Sequence, residues 1–474
     1  MARLVCVSNR LADPRKTEAG GLAVALSGAL KAAGGLWFGW SGKILENTEG
    51  ATPDDGEVQM QQAGSVTLAT IDLSQSDYDA YYLGYSNGVL WPIFHYRLDL
   101  ADFDAGYIDG YRRVNQLFAR KLMPLLQPDD IVWVHDYHLI PLAAELRALG
   151  CTNRIGFFLH IPLPPQLILA AIPGHEWLLR AFFAYDLVGF QSNADLLHFC
   201  RYVSAEAHAE DQGDGKRWRA FGRTLQAGAF PIGIDVAEFD ALAKAPDATA
   251  MYTRMKEEYS RRQLLVGVDR LDYSKGLPQR LRAFREMLRR YPENSRSTTL
   301  IQIAAPSRES VDAYADILRE LESLAGSING DFGELDWMPV RYIHRTVARK
   351  KLPGLYRAAR VALVTPLRDG MNLVAKEFIV SQDPDDPGVL VLSRFAGAAE
   401  QMQQDAILVN PYDASATAEA IQFALQMPLA ERRRRHQSML ASICSFDVHW
   451  WSNNFLRQLA ATDAEQTGPA WLQV

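Results

Sequence analysis

Short apolar runs, several rich in β-branched residues, recur along this 474-residue chain, separated by stretches with helical spacing. Leu4–Ser8, Asp130–His135, Arg154–His160 and Asp186–Phe190 form a first series. Gln263–Val268, Thr298–Ile303, Val361–Thr365 and Val389–Ser393 form a second. Strands covered on both faces read as such runs, and their alternation with helices predicts parallel sheets. Two series predict two sheets. Pro231-Ile-Gly-Ile-Asp235 lies between them, ahead of a charge-mixed helical region over 238–262, so the linker is expected near 231–240. The predicted division is 1–235 and 236–474, two Rossmann-like doubly wound α/β domains, with room for the last helix to pack back on the first. Domains of this kind facing each other leave a cleft at the carboxyl ends of their strands, where α/β sheets bind ligands. Leu22–Ala33 is helix-compatible, and Gln212–Lys216 reads as an exposed turn.

Composition narrows the partners. Forty-nine Lys and Arg against 56 Asp and Glu give a formal charge of −7, with 48% hydrophobic and 22% charged residues. That balance suits an ordinary globular protein and offers no polyanion-binding surface, so nucleic acid is not an expected partner. The one dense basic run, Arg432–Arg435, has a helical context and is expected to be a solvated helix face. Cys6, Cys151, Cys200 and Cys444 are scattered without metal-ligand spacing and fit a reducing compartment. The first residues lack a signal-peptide pattern and no apolar run approaches membrane-spanning length, so the expected location is cytoplasmic and away from membranes.

The densest chemistry lies in Thr365-Pro-Leu-Arg-Asp-Gly-Met-Asn-Leu-Val-Ala-Lys-Glu377, which joins a strand candidate to a helix. Gly370 permits a turn, and Asn372 is placed as the helix N-cap. The amides of Leu373, Val374 and Ala375 then face outward at the positive helix end, where phosphate binds. Asp369 and Glu377 are acceptors suited to hydroxyls on either side of a diphosphate. Any strand-loop-helix junction shares part of this pattern, with acids merely complementing the helix dipole. After another strand candidate, Arg270 and Lys275 could neutralise a diphosphate leaving group, or pair with Asp269 and Asp272 as a solvated loop network. Arg10 follows the first strand and precedes Gly20-Gly21, a second place for a phosphate to meet a cation and open backbone. His135 and His138 lack supporting ligands for a metal. Asp136 could accept a sugar hydroxyl, and His160 could set a polar ring against a sugar or be a satisfied core histidine. Tyr81, Tyr82, Trp91 and His95 supply aromatic surface or core, and Arg308 is a further phosphate candidate.

With these residues assembled, the chain resembles the trehalose-6-phosphate synthase family, glycosyltransferase family 20, retaining nucleotide-sugar transferases of the GT-B fold. The resemblance rests on Val7–Arg10, Ala19–Val24, Gly35–Gly42, Val89–Pro92, His135–Leu139, Gly156–Pro162, Arg270–Gly276 and Thr365–Glu377. It implies glucose transfer from UDP-glucose to glucose 6-phosphate, giving α,α-trehalose 6-phosphate and UDP, without cofactor or metal. It also implies a donor site built from Gly20, Gly21, Arg270, Lys275, Asp369, Met371, Asn372, Leu373, Val374, Ala375, Lys376 and Glu377, most of them in the second domain. Arg10, Tyr82, Trp91, Asp136 and Arg308 would hold the acceptor, and His160, Asp136, Arg270, Lys275 and Asp369 would surround the reacting atoms. Homodimers or homotetramers are common among such relatives. Leu163–Ile168 and Val347 depart from the usual family pattern, which bears on fine specificity. Rival readings are transfer to another phosphorylated acceptor such as glycerol 3-phosphate, another nucleotide-glucose donor, or a silent sugar-phosphate sensor. A nicotinamide dehydrogenase is disfavoured, since no G-x-G-x-x-G follows the first strand.

Overall fold

Each apolar run named above forms a strand, and the computed structural model arranges these strands around two separate sheets. It describes residues 2–11, 30, 34–45, 56–307 and 312–462. The helix expected over 22–33 therefore falls almost wholly outside the described residues. The chain divides into one unit of residues up to Pro231 together with those from His449, and a second unit of Ile232–Val448.

The first unit holds β1 (Leu4–Arg10), β2 (Gly35–Leu45), β3 (Gln59–Ala63), β4 (Val66–Ser74), β5 (Ile131–His135), β6 (Arg154–Phe158), β7 (Leu187–Phe190), β8 (Glu210–Asp211), β9 (Arg217–Ala220) and β10 (Arg223–Ala229). Their order is β3-β4-β2-β1-β5-β6-β7-β10-β9-β8. All pairings from β4 to β10 are parallel, while β3, β9 and β8 add antiparallel edges. Winding therefore reverses between β1 and β5, whose register runs from Leu4 opposite Ile131 to Ser8 opposite His135. The turn at 211–217 is exposed, as expected, with Asp211 Oδ1 accepting from the amides of Gly213 and Gly215.

The second unit holds β11 (Gln263–Arg270), β12 (Thr298–Ala305), β13 (Val340–Ile343), β14 (Val361–Val364), β15 (Val389–Ser393) and β16 (Ile407–Val409). Its order, β13-β12-β11-β14-β15-β16, is all parallel and is the doubly wound 3-2-1-4-5-6 arrangement. Helix α1 (Leu277–Arg290) covers the sheet because Leu277, Leu281, Phe284 and Leu288 recur on one face and are buried. Helix α2 (Leu373–Val380) follows β14. Helix α3 (Val448–Ala460), whose residues from His449 belong to the first unit, places Trp451, Phe455 and Leu459 on one stripe, all fully buried. Phe455 lies over Gly156 and Gly189, where any Cβ would press into its ring, and stacks on Trp133 at 4.8 Å.

The expectation of a solvated arginine face at 432–435 holds for Arg433 and Arg434, which are exposed, and is corrected for Arg432. Arg432 is buried and donates to Asp386 Oδ1 at 2.7 Å, while Arg434 and Arg435 pair with Glu431 at 2.9 and 2.7 Å. Arg432 is held by an acid from another segment, whereas Arg434 and Arg435 share Glu431 on their own helix.

The segment that opens the second unit is held inside it. Val448 N donates to Ile234 O at 3.1 Å, and Gly233 packs so closely on Phe446 and Asp447 that no Cβ would fit. Lys376 of α2 is fully buried and donates from Nζ to Ile232 O at 2.7 Å. Burial without a counter-charge pushes its pKa down from 10.5 to about 7. Between these values the unfolded chain binds more protons than the folded one, so this group makes stability rise with pH across that window; its penalty is fully present below about 7. Chemical denaturation of the parent and Lys376→Met at pH 7.5 and 9.5 checks this. The parent is expected to gain on the variant by about 1.4 kcal/mol per pH unit.

Candidate functional site

At the carboxyl ends of β11 and β14, where the winding of the second sheet reverses, two loops meet. Leu367 N donates to Ser274 O at 2.7 Å, and the left-handed Gly276 (φ 64) lies against Thr365 O with no space for a side chain. A third loop, after β15, closes over the second. Asp369 N donates to Phe395 O at 3.2 Å, Gly397 N to Asp369 O at 3.1 Å and Ala398 N to Met371 O at 2.9 Å. The Thr365–Glu377 run is thus fixed on both sides by backbone hydrogen bonds.

Within this frame Lys275 Nζ meets Asp369 Oδ2 at 2.6 Å, with the two side chains 12% and 13% exposed. The alternative in which Lys275 pairs with Asp269 or Asp272 is excluded by geometry. Asp269 binds Arg280 at 2.6 Å, and Asp272 accepts from Ser274 N at 2.9 Å and Tyr314 Oη at 3.1 Å. Arg270 ends β11 and is exposed.

Asn372 does occupy the cap position of α2, but not as a side-chain cap. It is left-handed (φ 75), its side chain accepts no hydrogen bond from the helix, and Nδ2 donates to Asp369 Oδ2 at 3.0 Å. The carboxylate three residues earlier competes for the amide, so Asn372 orients Asp369. Its buried Oδ1 has no partner among the described residues. Met371 and Ala375 are buried, Leu373 and Val374 partly exposed. The Lys376 side chain, expected at the site, is engaged by Ile232 O, leaving only its backbone to meet a ligand. Glu377 sits in low-dielectric surroundings that push its carboxyl up to about 7, an effect only partly offset by Arg349 and Tyr356. A carboxyl in that range can donate as well as accept.

In the first unit the corresponding winding reversal gathers Arg10 at the end of β1 and Asp136 just after β5. Arg10 is exposed, its guanidinium 5.7 Å from the centre of the Trp40 ring. Tyr82 is partly exposed, stacked on His138 at 5.9 Å and on Tyr78 at 5.3 Å. Trp91, by contrast, is buried against His95 and Tyr137 at ring separations of 4.1 and 5.7 Å, and Tyr81 donates to Asn9 Oδ1 at 2.8 Å in the core.

Asp136 adopts φ 74, a backbone region that side chains rarely tolerate, and its Oδ1 accepts from His160 N at 3.2 Å. The His160 ring is engaged on both nitrogens, with His135 Nδ1 at 3.1 Å and Gln191 Nε2 at 3.4 Å. Burial lowers its pKa to about 3. The ring is neutral, held in place and poorly suited to shuttle a proton. Gly20, Gly21 and Arg308 lie outside the described residues. Among those described, no group of three or more His, Cys, Asp or Glu is placed to hold a metal, and no helix is long and apolar enough to cross a membrane.

Arg280, Gln191 and the orienting role of Asn372 have little signal in the sequence. One signal for Arg280 was available. Gly267 interrupts the apolar β11, and a Cβ there would collide with Arg280 Nη1 and Gln302 Oε1.

Known proteins match almost the whole chain in sequence and in fold. The sequence profile described as Glycosyltransferase family 20 matches residues 7–461. A trehalose-6-phosphate synthase of Sinorhizobium fredii is 49% identical over 466 residues, covering 98% of this chain and 99% of the relative. One of Klebsiella pneumoniae is 48% identical, covering 97% and 95%. The crystal structure of an α,α-trehalose-phosphate synthase (UDP-forming) from Burkholderia xenovorans in complex with glucose-6-phosphate aligns with a TM-score of 0.92 at 49% identity, covering 97% of this chain and 100% of that one. A structure from E. coli bound with UDP-2-fluoro glucose aligns with a TM-score of 0.92 at 47% identity, covering 97% and 99%. With its two doubly wound units, the chain has the GT-B fold and belongs to glycosyltransferase family 20.

Proposed function

We propose that this chain transfers glucose from UDP-glucose to glucose 6-phosphate with retention of configuration, releasing α,α-trehalose 6-phosphate and UDP. One observation carries the reading. Two cations, one carboxylate and an orphaned amide oxygen stand on the loops at the winding reversal of the second sheet, in a chain about half identical over its length to UDP-forming synthases of that sugar phosphate.

In this reading the second unit is the donor unit. Arg270 and Lys275 bind the diphosphate, Asp369 and Asn372 Oδ1 accept from glucose hydroxyls, and Glu377 meets the ribose. The backbone of residues 371–376 flanks the diphosphate, and Gly20 and Gly21 also serve the donor. Arg10, Tyr82, Asp136 and Arg308 serve the acceptor, with the two arginines on its phosphate. Trp91, being buried, supports Tyr137 more than it touches a ligand.

The bond from the anomeric carbon of glucose to the diphosphate oxygen breaks, and a bond to the anomeric oxygen of the acceptor forms on the same face. The acceptor's proton passes to the leaving diphosphate. Developing charge on that leaving group is what Arg270 and Lys275 stabilise, which is electrostatic and positional catalysis. His160, with both ring nitrogens occupied, forms a fixed wall beside the transferred sugar. The reaction calls for no cofactor, and the same cations make a metal unnecessary. Its substrates suit a cytoplasmic enzyme.

The decisive experiment incubates the protein with UDP-glucose and glucose 6-phosphate, with and without EDTA, and identifies the product by mass and anomeric configuration. An α,α-linked disaccharide phosphate, formed equally with EDTA, is expected. Product only from glycerol 3-phosphate or another acceptor would overturn the reading. Arg270→Ala and Lys275→Ala are each expected to lower kcat about 10²- to 10³-fold with little change in Tm, and near-parental turnover would remove either from the site. Asp369→Asn separates two roles of one carboxylate. It abolishes the grip on Lys275, so UDP should inhibit about tenfold more tightly, roughly 1.4 kcal/mol, while turnover of UDP-glucose falls. UDP binding that weakens instead would show that the ion pair does not compete with the diphosphate.

A further inference from the structure

Arg280 belongs to none of the roles above, yet it is a fully buried charge in the second unit, with a side chain 0% exposed. Nη1 donates to Asp269 Oδ2 at 2.6 Å and Gln302 Oε1 at 3.0 Å, and Nε donates to Thr365 Oγ1 at 3.0 Å. Its three partners belong to β11, β12 and the residue just after β14, which are adjacent in the sheet. The arrangement is costly in three ways. A buried ion pair is commonly no more stable than a well-packed apolar replacement. Nη2 has no partner among the described residues. β11 also forgoes a side chain at Gly267 to make room. Stability alone is a weak reason to keep such a group; geometry is a better one.

We infer that Arg280 is a positioning residue for donor binding, setting the register between the Arg270–Lys275 loop and the Thr365–Glu377 loop. This rests on the proposed function and extends it to a residue that does not reach the ligand. Asp269 immediately precedes Arg270, and Thr365 opens the run that carries Asp369, Asn372 and Glu377. One rigid guanidinium fork touches the starts of both loops, so a change in its bond to Thr365 alters the height of one loop against the other. Gln302, in contrast, lies in the middle of β12 and leads to neither loop.

The test compares Thr365→Val with Gln302→Leu, since replacing Arg280 itself endangers folding. Each removes one acceptor from the same guanidinium, and Gln302→Leu also loses bonds to Gly267 O and Ile303 O at 3.3 and 2.9 Å. UDP affinity by calorimetry, KM for both substrates, kcat and Tm are read for each variant. Thr365→Val is expected to weaken UDP binding and raise the donor KM about fivefold, leaving the acceptor KM unchanged, with Thr365→Ser restoring the parent. Gln302→Leu is expected to lower Tm at least as much while holding UDP affinity within about twofold. Parental UDP affinity in Thr365→Val, or equal loss in both variants, overturns the inference. Failure of the parent to bind UDP at all sinks the donor reading itself and the inference with it.

Discussion

A parallel sheet wound outward from one inner strand must send the connections of two neighbouring strands to opposite faces, and the backbone beyond those two strands is left uncovered. Most of the candidate chemistry depends on that constraint. In the second unit the two strands are β11 and β14, and their loops carry Arg270, Lys275, Asp369 and Asn372. In the first they are β1 and β5, with Arg10 at the end of one and Asp136 just after the other. Residues scattered over the sequence become neighbours because winding starts from one strand in each sheet. The loop after β15 then limits the freedom that the uncovered ends would otherwise have, through its backbone bonds to Asp369 and Met371.

Two ion pairs close to this reversal show how burial separates a site from its scaffold. Lys275 with Asp369 and Arg280 with Asp269 have the same 2.6 Å separation. The first pair keeps about an eighth of its side-chain surface exposed, so both partners can be reached from solvent. The second is sealed, and removing one member would leave a bare charge in a medium that cannot solvate it. Accessible charge suits ligand binding; sealed charge suits registration. The difference comes from the helix that carries Arg280, whose apolar stripe of Leu277, Leu281 and Phe284 excludes water from the guanidinium.

The sequence revealed those strands that announce themselves by hydrophobicity. Val361–Val364 and Thr298–Ala305 are buried through nearly their whole length and read directly from their side chains. β2 and β10 do not, because Gly35, Gly39 and Gly42 interrupt the first, and Arg223, Gln226 and Gly228 dilute the second; their place is decided by neighbouring strands. β16 has three residues, too few for any period. At the site, Asp369 and Lys275 were legible as residue types after strands, but their mutual pairing was not, since 94 residues separate them. Asn372 was placed at the correct position with the wrong task. A local rule assigns its side chain to the helix amides, whereas the nearby carboxylate takes its amide group. Arg280 was hidden among the other arginines of its helix, where a buried and an exposed guanidinium look alike in sequence.

The loops beyond the reversing strands each hold a polar residue at positive φ. Among non-glycine residues, Asp136 directly after β5 has φ 74, and Asn372 in the loop after β14 has φ 75. Each such conformation costs on the order of 1–3 kcal/mol, and glycine would relieve it. Glycine would also remove what each side chain supplies: the acceptor for His160 N in one case, the donor to Asp369 in the other. Strain of this kind persists only where surrounding bonds over-determine the backbone. Here the β-strand before each residue and the hydrogen bonds after it do so, holding a polar group at the open strand ends that a relaxed loop would let turn away.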